Sequence, residues 1–231
     1  MEHTLHVVDE ELEALSVQVR ELAGQTEQLL NDALSAALEG RDDLVDAVVQ
    51  RDQALDELTS AIERASIRLI ALRQPRADDL RRPVAAMKIA VNLERCGDLA
   101  KNIAKRGRRL WRLNSGGLPN QAIRQLAQKV AGALAALRTA YDAGDVEGIL
   151  AVWRDDAEID ALHQAASKEL LDMMTASPDQ VETGMHLLFV AKNLERIGDH
   201  ATNIAELIHY EMVGATPAGD RPKLDPLDDR L

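Results

Sequence analysis

Apolar residues recur at steps of three and four along most of the chain. From Asp9 to Ala37, the positions Leu12, Leu15, Val19, Leu22, Leu29, Ala33 and Ala36 make one stripe, the spacing of a helix that packs one face against a partner. Gly40 ends this helix. A second stripe, Leu44, Val48, Leu55, Leu58, Ile62, Ile67 and Leu69 to Leu72, opens behind Asp42-Asp43. It stops at Pro75, which cannot continue a helix and disfavours the α conformation at Gln74. A third helix is predicted from Asp78 to about Leu113, with Pro83 in or near the first turn, where a missing N–H has no intrahelical partner. Asn114 to Pro119 is a run of turn formers and the clearest break in the chain. The order then returns: a helix from about Asn120 to Ala143, a Gly144-Asp145 turn, a helix to about Thr175, Ser177-Pro178 as N-cap and first position, and a helix to about Met212. Residues 214–231 hold three prolines, two glycines and many charges, with few large apolar residues, and are expected to be disordered.

The return is also literal. Asn92 to Ala104, Asn-Leu-Glu-Arg-Cys-Gly-Asp-Leu-Ala-Lys-Asn-Ile-Ala, matches Asn193 to Ala205 at 10 of 13 positions, an offset of 101 residues. A weaker echo at an offset of 104 pairs Asp52-x-x-x-Asp56-x-Leu58 with Asp156-x-x-x-Asp160-x-Leu162. The chain therefore reads as all-α, a duplicated three-helix unit making two tandem pseudo-symmetric bundles over residues 5–113 and 118–212. Aromatics are only 2% of its 231 residues, which argues against a sheet-rich fold. The apolar residues never form a run of about 18, so no segment is expected to span a bilayer. The N-terminus lacks the basic and apolar regions of a secretory signal, and the lone Cys96 has no disulfide partner, so the protein is placed in the cytoplasm.

Within the repeated motif, Glu94, Asp98 and Asn102 share one row of their helix, about 120° around from the stripe of Leu93, Gly97, Ala100 and Ala104. Two carboxylates one turn apart repel, so each pair needs a compensating cation. Arg95 and Arg196 can supply it as salt-bridge partners. Alternatively, antiparallel packing brings Asp52 and Asp56 to Glu94 and Asp98, and Asp156 and Asp160 to Glu195 and Asp199. Two all-oxygen clusters of that kind suit magnesium, manganese, calcium or iron, with Asn102 and Asn203 as neutral ligands.

The duplicated Asn-Leu-Glu-Arg-x-Gly-Asp-x-Ala-x-Asn-Ile-Ala, the Asp79-Leu80-Arg81 triplet and the doubled three-helix layout resemble the PhoU family over roughly residues 5 to 212. The resemblance implies a regulator, not an enzyme. It would be a negative regulator of phosphate uptake and of the phosphate-starvation response, meeting the ATPase subunit of the phosphate ABC importer and a phosphate-responsive histidine kinase. It also implies a homodimer, recruited by its partners to the inner face of the membrane without inserting. Family members bind multinuclear iron or zinc, and other divalent ions, at paired (Glu/Asp)-x-x-x-Asp motifs. Carried over, these fall on Asp52, Asp56, Glu94 and Asp98 and on Asp156, Asp160, Glu195 and Asp199. The second repeat has Pro178-Asp179-Gln180-Val181 in place of the Asp-Leu-Arg triplet, so any role of that triplet belongs to the first repeat.

Charge adds one more candidate. The chain carries 27 Lys+Arg against 39 Asp+Glu, net −12, yet residues 73 to 112 hold 12 basic and 4 acidic side chains. Arg81, Arg82, Lys101, Lys105, Arg106, Arg108, Arg109 and Arg112 are either cations favoured near a helix C-terminus or a docking surface for an acidic protein. Nucleic acid is the poorer partner, given the acidic total and the lack of interleaved aromatics. Cys96 takes the place of Ile197 in the repeat and reads as a small core residue. The six histidines show no dense ligand pattern; His200, beside Asp199, reads as exposed or half-buried. Glu206-x-x-His209 stands alone, whereas a ferritin-like di-iron site needs two such motifs. Phosphate-loop, dinucleotide and nucleophile-elbow motifs are missing. A metal-dependent enzyme using the carboxylates, and a helical adaptor whose repeat serves packing alone, are the competing readings.

Overall fold

The computed structural model describes residues 2–76, 78–113, 121–219 and 221. Its helices are α1 (Glu2–Glu39), α2 (Asp43–Arg73), α3 (Asp78–Leu113), α4 (Gln121–Ala143), α5 (Val146–Arg154), α6 (Asp156–Ala176) and α7 (Val181–Val213), with a 3-10 turn at Pro178–Gln180. No strand occurs among the described residues. The all-α expectation holds. One expected helix is divided, because at Asp155 the backbone N–H closes α5 onto Ala151 and Val152 while the carbonyl opens α6 by accepting from Glu158 and Ile159. Lys129 of α4 holds the Asp155 carboxylate at 2.7 Å, so an ion pair anchors the joint. Pro83 falls in the second turn of α3, a little deeper than expected, and the helix runs through it. Gln74, ahead of Pro75, leaves the right-handed helix by turning left-handed, at φ 48°.

Gly40 shows why α1 ends where it does. Its φ of 77° lies in the left-handed region, and the Trp111 ring covers the space a side chain would fill. Trp111 Nε1 also donates to the Ala37 carbonyl at 2.9 Å, tying the end of α3 to the end of α1.

In the first repeat α1, α2 and α3 pack on one another; in the second α7 packs on α4, α5 and α6. The repeats meet along α3 and α7, and α1 also touches α4. A single buried core runs through both, from Leu22, Leu29 and Ile62 to Ile103, Val130, Ile149 and Ile197. The two bundles thus share their hydrophobic interior. Arg109 faces Glu182, Arg106 faces His186 and Asn92 faces His200, so α3 and α7 run antiparallel.

The expectation of disorder from residue 214 does not hold for the first part of the tail. Pro217 is buried, His209 Nδ1 lies 2.7 Å from the Ala215 carbonyl, and Arg221 reaches back to the second repeat. The break at Asn114 to Pro119 and residues 222–231 lie outside the described residues.

Candidate functional site

Each repeat places an acidic pair of its middle helix beside the acidic pair of its last helix. The glycine of the repeated motif makes this possible. A Cβ on Gly97 would come within 2.8 Å of Leu55 Cδ1 and 3.6 Å of Asp52 Oδ1, and one on Gly198 within 2.9 Å of Ile159 Cγ2. Without a side chain there, α2 settles close on α3 and α6 on α7, carrying Asp52 and Asp156 down to 4% and 2% exposure.

Buried carboxylates require partners, and the two repeats supply different ones. In the first, Lys101 Nζ bonds both Asp52 and Asp98, the latter at 2.7 Å. Burial opposes the Lys101 charge, but these two carboxylates outweigh it and push the ammonium up to about 12. Asp56 lies one helical turn beyond Asp52, its carboxyl raised by burial and by the charges of Asp52 and Asp98. Glu94 is raised too, by burial first; Arg95 pulls it back, while Asp98, Asp56 and Asp52 push with burial. Arg95 stays at 3.6 Å from both Glu94 and Asp98, a loose contact at the rim.

In the second repeat the place of Lys101 is taken by Thr202, whose hydroxyl donates to Asp156 at 2.9 Å. The cation comes from the tail. Arg221 grips Asp156 with two nitrogens at 2.7 and 2.9 Å, Asp199 at 2.7 Å and the Asn203 side-chain oxygen at 3.2 Å. Glu195 lies outside this grip, paired with Lys192 at 2.7 Å. Asp160 is near enough, with Glu195, to act on His163, which burial holds below the usual histidine range. His200 turns away from the cluster, to within 2.9 Å of Asn92 Oδ1 on α3. Asn102 is exposed and opens onto the seam between α3 and α7, while Cys96 is buried, its thiol pushed up by desolvation.

The hard oxygen donors fit a cation of magnesium, manganese, zinc or iron type, and burial first, with the neighbouring carboxylates adding to it, raises Asp56 and Glu94. As folded, however, each cluster already contains a cation of the chain itself. No group of three or more His, Cys, Asp or Glu among the described residues forms a metal-sized cage. A metal would have to displace Lys101 or Arg221.

The basic residues do not form one surface. Arg81 lies over Gly214 and Arg82 bonds Ser16 at 2.9 Å, near the start of α3. Lys105, Arg106 and Arg109 stand about 40 Å further along the same helix at 1.5 Å per residue. Arg108 clamps the start of α2 through Asp42 at 2.6 Å and Asp46 at 3.0 Å, and Lys101 belongs to the carboxylates. Arg221 escaped the sequence reading because the tail lacks apolar pattern. The replacement of Lys101 by Thr202, one of three differences between the motif copies, was the signal that a second cation was needed.

A family model described as "PhoU domain" matches residues 19–107 and 123–208. The chain is 46% identical over 226 residues to a phosphate-specific transport system accessory protein PhoU homolog from Caulobacter vibrioides, covering 98% of each chain. It is 39% identical to the protein of that description from Rhizobium meliloti, covering 96% of this chain and 94% of the relative. The crystal structure of PhoU from Pseudomonas aeruginosa superposes with a TM-score of 0.85 at 30% identity, covering 90% of this chain and 99% of that one. The phosphate transport system regulatory protein PhoU from Streptococcus pneumoniae gives 0.83 at 27% identity, covering 91% and 99%. Matched in both repeats and similar from end to end to these relatives, the chain belongs to the PhoU family.

Proposed function

We propose that this protein acts by binding, as a cytoplasmic homodimer that restrains phosphate uptake and the phosphate-starvation two-component response when phosphate is plentiful. Its contacts are with the ATPase subunit of the phosphate importer and with the phosphate-responsive histidine kinase. The observation that carries the reading is the end-to-end similarity to proteins named as phosphate-transport accessory proteins. The chemistry agrees with it: the deepest carboxylates, Asp52 and Asp156, are engaged by the chain's own cations and offer no free acid or base to a substrate. Pull-down of the full chain from cells grown at high phosphate should recover both the ATPase subunit and the kinase. Repeated recovery of neither would sink the reading.

A second reading is that the carboxylate clusters hold metal ions. It is favoured by the gathering of acidic side chains from two helices in each repeat, where burial and neighbouring carboxylates together raise Asp56 and Glu94. Elemental analysis of protein purified without chelator or affinity tag decides it, run beside the Glu94→Gln/Asp98→Asn/Glu195→Gln/Asp199→Asn variant. Iron, zinc or manganese present in the first and lost in the second makes these residues ligands; metal-free wild type discards the idea.

A further inference from the structure

At the seam between the repeats, α3 and α7 leave a groove of about 490 Å³. Its α7 wall is His186, Phe189 and Asn193, and Phe189 ends a stripe with Val181 and Met185, spaced one turn apart along α7 and exposed by 42%, 48% and 47%. A helix in a protein with a packed core ordinarily turns such a stripe inward. Here it faces water. The α3 wall is basic. Arg106 stacks its guanidinium 4.2 Å from the Phe189 ring centre and lies 3.0 Å from His186 Nδ1. Arg109 meets Glu182 at 2.9 Å, and Lys105 pairs with no carboxylate among the described residues.

The duplication supplies an internal comparison. Advancing the groove's α3 residues by 101 leads to a second groove on the same seam, lined by Met87, Lys88, Val91, Glu206 and Leu207. There Lys105 is replaced by Glu206 and Arg106 by Leu207. Two positions that are basic in one groove are acidic and apolar in its counterpart, so the helix pair does not require their charge for packing. In a chain of net charge −12, Lys105, Arg106 and Arg109 gather beside Phe189, where the exposed apolar stripe ends.

We propose that this groove docks an acidic amphipathic helix of a partner protein. The apolar face of that helix covers Val181, Met185 and Phe189, and its carboxylates meet Lys105, Arg106 and Arg109. Charge complementarity selects this occupant. A nucleic-acid backbone would leave the Val181 and Met185 side chains unused, and a single exposed aromatic makes no stacking platform. The proposal rests on the reading of the protein as one that acts by binding.

The test replaces Phe189 in the full chain with a photo-crosslinking phenylalanine analogue, in the protein's own host cells, with Leu171, exposed on α6, as the control position. The expected result is an adduct at position 189 that maps to an acidic segment with apolar residues at helical spacing. Its yield should drop about ten-fold with Arg106→Glu/Arg109→Glu and fall in the same direction with Lys105→Glu, which breaks no ion pair seen among the described residues. Helix content by circular dichroism checks that these variants fold. An adduct with a second copy of this chain, with lipid or with nucleic acid overturns the proposal, as does a yield no higher than at Leu171. The partner's identity separates the two readings: an acidic helix of a protein unrelated to phosphate leaves the groove standing and removes the proposed function. Recovery of importer and kinase without an adduct at 189 does the reverse.

Discussion

Asp52 and Asp156 occupy equivalent places in the two repeats, and their different cations make different predictions. Lys101→Met leaves Asp52 buried and unpaired and should cost about 3 kcal/mol in urea unfolding, with Lys101→Arg recovering part of it. Arg221→Ala should cost less, about 1 to 2 kcal/mol, because the Thr202 hydroxyl still donates to Asp156. Equal losses would mean that the tail contact is as integral as Lys101. A separate residue governs pH dependence. Glu211 accepts from the Tyr141 hydroxyl at 3.2 Å, and its carboxyl is raised by burial, which that bond and the nearby Arg82 and Arg20 only partly offset. A raised carboxyl binds more protons in the folded state. The stability this contributes is fully present below the unfolded value of about 4.3 and is lost as pH rises through the raised folded value. Glu211→Gln should therefore flatten the fall in stability as pH rises above about 4; an unchanged slope assigns that pH dependence to other groups.

Helix pairs in this protein are set by glycines whose reason the linear pattern conceals. A Cβ on Gly107 would fall 2.3 Å from Ala37 Cα and 2.9 Å from Ala37 N, both backbone atoms that cannot turn aside. Gly107→Ala should cost about 2 to 3 kcal/mol by forcing α3 from α1, seen as a lower melting temperature and faster amide exchange in both helices. Gly24→Ala and Gly132→Ala, where nothing lies within 4 Å, should instead stabilise by about 0.5 to 1 kcal/mol. A matching loss at all three would refute the close-approach argument. α1 begins at Glu2, ahead of the stretch read from Asp9, but most helix limits were legible to within a few residues, because stripe, Gly and Pro act locally. The joint at Asp155 was not, since it depends on a lysine from α4.

Across the whole molecule, the continuous core joins two units that read as separate in the chain. The repeats should unfold together. Trp111 lies in the first, over Gly40, and Trp153 in the second, donating to Glu206 at 2.9 Å. Variants keeping one tryptophan each should give coincident denaturation midpoints by fluorescence; a lead by either probe would show independent repeats. The carboxylate clusters were half legible at this scale. Motif copies and helix order predicted which acidic pairs meet, because a duplicated sequence packs in a duplicated way. Which cations join them was not, because Lys101 looked like part of a basic surface and Arg221 lay in a segment without periodicity.

The amino-acid sequence alone determined the helical class, the duplication, the family resemblance and the pairing of acidic helices, all of which follow from short-range periodicity and a copied motif. Three-dimensional packing decided the rest. It merged two bundles through α3 and α7, divided a run of basic residues between opposite ends of one helix, and filled each acidic cluster with a cation. It also turned an apolar stripe of α7 outward beside Lys105, Arg106 and Arg109. Residues that meet across helices do so through close approach and charge pairing, and neither leaves a regular spacing along the chain.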